Sequence, residues 1–145
     1  MAGPGIRFPP PLLFVLGFLL GLGLDQLYPA PLRPLVWLLV AAGLVVITWA
    51  LLTFRAAKTP VIPTKDANAL VTKGPYRFSR NPMYLGLSLV YLGLALWLQS
   101  LFSLLLLPAV LYSLWWLAIR REERHLEERF GQAYLDYKAR VRRWF

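Results

Sequence analysis

Apolar residues fill long, nearly unbroken blocks of this chain, and polar positions gather between the blocks instead of alternating with them. That pattern predicts an all-α integral membrane protein, because a helix needs roughly 20 apolar residues to cross a bilayer core about 30 Å thick. About four spans are expected, near residues 10–27, 35–54, 82–98 and 101–119, in one membrane domain covering 1–145. The first block, the weakest of the four, runs from about Leu12 to Leu24, with Phe8 and Leu27 as extensions. Arg7 before it makes a cleaved leader the rival reading, but no small-x-small cleavage site follows. Gly17 and Gly21 have the small-xxx-small spacing that lets a second helix approach, and Gly23 is read as a packing residue with them.

A Pro-rich connection from Tyr28 to Pro34 leads into the second block, Leu35 to Phe54, where Trp37 and Trp49 stand near opposite ends as interfacial anchors. Only Gln99 and Ser100 separate the third and fourth blocks, which predicts a tight antiparallel hairpin; one long kinked helix is the alternative. Pro108 is expected to kink the fourth span.

Charge sets the orientation. Arg55, Lys58, Lys65, Lys73, Arg77 and Arg80 lie in the loop 55–81, and Arg120, Arg121, Arg124, Arg129, Lys138, Arg140, Arg142 and Arg143 lie in 120–145, whereas the opposite loops carry only Arg33. The positive-inside rule then places both basic segments and both termini on the cytoplasmic side of the cell membrane. The C-terminal segment is amphipathic rather than a fifth span. Leu126, Phe130, Ala133, Tyr134, Tyr137 and Val141 share a helical stripe that could break near Gly131, with Trp144 and Phe145 as membrane anchors.

Composition narrows the chemistry. The 145 residues are 58% hydrophobic with a mean hydropathy of +0.53, lack cysteine and contain the single histidine His125, which excludes disulfides and argues against a metal centre. A net charge of +9 would suggest nucleic acid in a soluble protein, but these bases sit where topology demands them, so no nucleic-acid partner is expected.

Two regions could carry chemistry. Glu122 and Glu123 follow the fourth span and flank the apolar stripe, where a carboxylate requires a cation: either a structural partner such as Arg77 or Arg80, or the cationic part of a ligand. In the run Lys73-Gly74-Pro75-Tyr76-Arg77-Phe78-Ser79-Arg80-Asn81-Pro82, Gly-Pro forms a turn, Asn81 is a helix N-cap and Pro82 the first helical residue. The exposed N–H groups of that helix, with Arg80 beside them, make a potential anion site.

These residues resemble a known family. Thr72 to Gly86, then after a hairpin Arg120-Arg121-Glu122-Glu123-Arg124-His125, Phe130-Gly131 and Tyr134-Leu135-Asp136-Tyr137, look like the isoprenylcysteine carboxyl methyltransferases and their phospholipid methyltransferase relatives. The resemblance implies a membrane-embedded methyltransferase that uses S-adenosylmethionine and a lipophilic, isoprenoid- or lipid-like acceptor bearing a carboxylate, thiol or amine. It further implies that Gly74, Tyr76, Arg80, Asn81, Pro82, Tyr84, Glu122 and Glu123 bind the cofactor, that Arg80 and Glu123 act at the reacting centre, and that Tyr134, Tyr137 and Arg142 close the pocket. The family's eukaryotic prenyl-protein members are longer and carry histidine where this chain has Asn81, so the chain looks more like the short prokaryotic members. Two other readings are a nicotinamide-dependent membrane reductase and a noncatalytic adaptor held to anionic lipids.

Overall fold

The computed structural model describes residues 9–27, 36–61 and 67–145. Arg7, Phe8, the connection Tyr28 to Pro34 with Arg33, Leu35 and Lys65 lie outside these residues. The described residues form helices and no strand: α1 (Pro11–Asp25), α2 (Val36–Ala56), a 3-10 turn (Gly74–Arg77), α3 (Pro82–Trp97), α4 (Leu101–Leu114), a π-helical turn (Trp115–Ile119), α5 (Arg120–Phe130) and α6 (Gln132–Arg140).

α2 and the continuous helical run Leu101–Phe130 are long and apolar enough to cross a membrane, whereas α1 and α3 are apolar but shorter. At about 1.5 Å per residue, the 15 residues of α1 and 16 of α3 reach only about 23 and 24 Å. Four apolar helices are therefore present where four spans were expected, and two of them have full spanning length. Large apolar side chains such as Leu19, Leu38, Val45, Leu105 and Trp116 are exposed along them, as in a protein whose outer face meets hydrocarbon.

The helices pack as two close pairs. α2 and α3 are antiparallel, since Trp37 meets Trp97 at one end (5.5 Å between ring centroids) and Phe54 meets Tyr76 just before α3 at the other (5.1 Å). Between those ends Gly43 faces Gly86: a Cβ built on Gly43 would stand 2.6 Å from the Gly86 carbonyl oxygen. α1 lies on α4 through Gly17 against Val110 and Gly21 against Ser103, the close approach that their spacing predicts. Gly23 is different: it is exposed, with nothing near the position of a Cβ, so it plays no part in packing.

α3 and α4 form the expected hairpin. Gln99 turns the chain at φ 56°, and Ser100 caps α4 by accepting from the Ser103 N–H at 3.1 Å. Tyr91 Oη donates to the Ser103 carbonyl at 2.8 Å, satisfying a buried hydroxyl in the apolar interior. The core of the bundle gathers Phe14, Tyr84, Tyr91, Ala95, Val110, Leu114, Ala118 and Ile119.

Beyond Leu114 the fourth helix runs on past residue 119, where the span was expected to end and the amphipathic segment to begin. The helix does not stop; it passes through the π-helical turn, where the Arg120 N–H reaches the Trp115 carbonyl, and continues as α5. No Gly or Pro interrupts residues 109–130, so the change from apolar to charged side chains leaves the backbone hydrogen bonding intact. The wider turn shifts the helical register and re-aims the residues after it. Gly131, at φ 53°, is the true break. Past it, Tyr134, Tyr137 and Val141 pack with Leu70, Leu126 and Phe130, while Ala133 is exposed because one wheel no longer runs through both helices. Trp144 packs against the core and Phe145 is exposed.

Candidate functional site

Three segments distant in sequence meet where α3 begins. The chain after α6 becomes extended at Val141 and runs along the turn that precedes α3. The Arg80 N–H donates to the Arg142 carbonyl at 3.0 Å, and the Arg143 carbonyl accepts from Asn81 Nδ2 at 3.0 Å and Ser79 Oγ at 3.3 Å. Asn81 holds the N-cap position of α3, but its side chain makes no capping hydrogen bond, because its amide is engaged by this C-terminal strap instead. Pro82 follows at the first helical position, fully buried.

The strap delivers a cation to α5. Arg143 donates from Nε to Glu123 Oε1 at 3.0 Å and from Nη2 to Glu123 Oε2 at 2.9 Å, the forked geometry of a guanidinium on a carboxylate. Arg80 Nη1 stands 3.1 Å from Glu123 Oε1, with both side chains about nine-tenths buried (10% and 12% exposed). One carboxylate therefore faces two guanidinium groups, and Arg80 Nε remains buried without a hydrogen-bond acceptor. Such an arrangement favours a further anion beside Arg80.

Glu122 is held separately. Tyr84 Oη donates to Glu122 Oε1 at 2.6 Å, joining the first turn of α3 to the first turn of α5. Burial pushes the Glu122 carboxyl up to about 7; the Tyr84 hydrogen bond opposes this and the charge of Glu123 adds to it. Burial also raises the Tyr134 and Tyr137 hydroxyls, so both stay protonated near neutral pH, and Tyr137 Oη donates to the Tyr76 carbonyl at 2.8 Å.

Arg80, Tyr84, Glu122, Glu123, Tyr134 and Tyr137 line one cavity open to the outside. Phe54, Val71, Met83 and Leu126 add an apolar lining. A model of the phospholipid methyltransferase family matches residues 34–133, more than half of the chain. The chain belongs to the phospholipid methyltransferase family. It is 35% identical over 106 residues to the protein-S-isoprenylcysteine O-methyltransferase of Saccharomyces cerevisiae, a match covering 72% of this chain and 44% of the yeast protein. It is also 36% identical over 72 residues to the enzyme of that name from Schizosaccharomyces pombe, covering 50% of this chain and 30% of that one. An uncharacterized protein of Haemophilus influenzae is 44% identical over 64 residues, covering 43% of this chain and 98% of that protein. The chain thus matches less than half the length of the two yeast relatives.

Of the residues that the sequence singles out in this family member, Tyr76, Arg80, Asn81, Tyr84, Glu122, Glu123, Tyr134 and Tyr137 line the cavity. Gly74 lies outside it, in a second concavity, and Pro82 is packed behind it. Arg142 offers its carbonyl while its side chain is exposed, so Arg143 is the tail residue that reaches Glu123. His125 and Arg143 escaped the sequence reading. His125 is buried on the cavity wall, one turn after Glu122, and helical spacing alone marks that shared face. Arg143 had no such signal, because the residues after α6 are not helical.

The family implies a methyl donor, of which S-adenosylmethionine is the general example. S-adenosylmethionine carries a carboxylate, cationic ammonium and sulfonium groups, and an adenine ring. The lining offers Arg80 with an unsatisfied buried Nε, two carboxylates, and the tyrosine and phenylalanine rings around them. The residues present fit the group.

Proposed function

We propose that this chain is a membrane-embedded methyltransferase that takes S-adenosylmethionine as methyl donor and a lipophilic acceptor bearing a carboxylate, thiol or amine. One observation carries the reading: a single cavity is lined both by Arg80, Glu122 and Glu123 and by the apolar Phe54, Val71 and Met83. A charged cofactor and a greasy acceptor require those two surfaces to meet. In this reading the four apolar helices lie in the membrane, with the loop 55–81 and the segment 120–145 on the cytoplasmic side, where the cofactor is supplied.

When bound, S-adenosylmethionine supplies a methyl group on a positively charged sulfur, open to in-line displacement by a nucleophile. The protein's task is then orientation and exclusion of water. Arg80, which lines the cavity and keeps a buried Nε without an acceptor, suits a carboxylate. Glu123, braced by Arg143, supplies negative charge toward the cationic groups. The strap 141–143, hydrogen-bonded to Ser79, Arg80 and Asn81, shields that polar wall from bulk water. Glu122 suits proton acceptance: its Oε1 is fixed by Tyr84, and its carboxyl titrates near 7. A thiol or amine acceptor would use that base, and a carboxylate acceptor needs none.

Titration of the purified protein with each cofactor tests the reading. Saturable binding of S-adenosylmethionine is expected, weakened about tenfold or more in Glu123→Gln with the helical circular dichroism retained, in line with a lost charged hydrogen bond. Binding of a reduced nicotinamide cofactor and none of S-adenosylmethionine would overturn it in favour of a reductase. No binding of either would favour the adaptor.

A further inference from the structure

A second concavity shares Tyr137 with the first. Lys73, Arg77 and Arg140 line it and no carboxylate does. All three cations are exposed, and Arg140 Nε donates only to a backbone carbonyl, that of Asp136, at 3.3 Å. Three like charges around one hollow repel one another unless an anion lies between them.

The position of the hollow indicates what kind of anion. Its floor, Gly74, is pressed onto the last two turns of α2: a Cβ there would stand 2.6 Å from Thr53 Oγ1 and 3.1 Å from Trp49 Nε1. α2 has full spanning length, so these turns lie where hydrocarbon gives way to headgroups. Beside them Trp49 and Phe78 pair at 6.4 Å, with 46% and 66% of their surfaces exposed, an aromatic lip of the kind found at membrane interfaces. Cations above an exposed aromatic lip suit a ligand with a phosphate at one end and acyl chains at the other.

We propose that Lys73, Arg77 and Arg140 bind the headgroup phosphate of an anionic phospholipid, with its acyl chains running past Trp49 and Phe78 along the outer face of α2. The bound lipid is a structural ligand and not the methyl acceptor. It braces α6 against the 3-10 turn, the junction that Tyr137 closes with its hydrogen bond to Tyr76. The inference rests on α2 lying in a membrane and not on the reaction proposed above.

The test uses the full chain, purified in detergent and stripped of lipid. Phosphatidylglycerol or phosphatidylcholine is added in mixed micelles, and bound lipid is counted by native mass spectrometry. Wild type is expected to retain phosphatidylglycerol at concentrations where phosphatidylcholine is not retained. Arg77→Gln should lower that affinity roughly fivefold and the triple variant K73Q/R77Q/R140Q roughly a hundredfold, the scale set by about one cation's attraction to an anionic surface per substitution. Wild-type retention in the correctly folded triple variant, or equal retention of phosphatidylcholine, overturns the proposal. Displacement of the lipid by millimolar inorganic phosphate would identify a free-phosphate site and overturn the lipid assignment. Should the triple variant fail to fold, the single Arg77→Gln comparison decides in the same way.

Discussion

Tyr84 donates a 2.6 Å hydrogen bond to Glu122 across 38 residues of chain, fastening the start of α3 to the start of α5. The bond acts on the ionised carboxylate, so it pulls down a carboxyl that burial pushes up. Tyr84→Phe removes that restraint. Glu122 should then titrate about one unit higher, consistent with the loss of a hydrogen bond to a charged group. Carboxyl-stretch infrared titration checks this, with Glu122→Gln identifying the band, and an unmoved or lowered midpoint would contradict the assignment.

Glu122 also makes stability depend on pH. Burial pushes its carboxyl up to about 7 in the folded protein against 4.5 for a free carboxyl, so between those values the unfolded chain has released a proton that the folded chain keeps. Stability contributed by this group therefore falls as pH rises from about 4.5 to 7 and levels off above, by at most about 3 kcal/mol. Glu122→Gln removes the titrating group and should flatten that part of the curve. Thermal unfolding in detergent across this range provides the comparison, and parallel curves for the two proteins would exclude Glu122 as the source.

Arg143 and Arg142 are neighbours with opposite expected sensitivities. Arg143→Ala breaks the fork on Glu123 and leaves a mostly buried carboxylate with Arg80 alone, which should cost about 1–3 kcal/mol of stability and loosen the strap. Arg142→Ala leaves the backbone carbonyl in place and should stay within about 0.5 kcal/mol of wild type. Proteolysis of the C-terminal segment, alongside thermal unfolding, separates them; equal effects would contradict the geometry.

The two helix pairs differ from the open end of α1 in their tolerance of one methyl group. Gly43→Ala would force the new carbon to 2.6 Å from the Gly86 carbonyl oxygen, a backbone atom with little freedom to move, at a cost of about 1–3 kcal/mol. Gly23→Ala meets open space and should be neutral or stabilising by up to about 1 kcal/mol. Melting temperatures in the same detergent settle the pair, and a tolerated Gly43→Ala would rule out the close approach of α2 and α3.

Local chemistry made much of this protein legible without coordinates. Apolar blocks of helical length, the two-residue break at Gln99 and Ser100, and the Gly17 and Gly21 spacing depend only on near neighbours, and the described helices reproduce them. Pro82 marks the start of α3 because proline lacks the N–H that a first helical residue does not need. Glu122 and Glu123 announced themselves as carboxylates beside an apolar stripe, and the ordered motifs pointed to the family whose model matches.

The partners of those groups were decided by the tertiary structure. Sequence required a cation for a buried carboxylate, but the antiparallel α3–α4 hairpin chose Arg80 over the exposed Arg77, and an irregular strap with no periodicity added Arg143. Asn81 had the side chain of a helix cap and was taken by the Arg143 carbonyl instead. The π-helical turn after Leu114 likewise left no mark in the pattern of apolar positions, yet it sets the register of Glu122, Glu123 and His125. The sequence by itself determined which groups had to be shielded, paired or held in a helix, since those requirements follow from each residue's own chemistry. Which group met which depended on long-range packing of helices, and only the folded chain brings Tyr84, Arg80 and the strap to the same two glutamates.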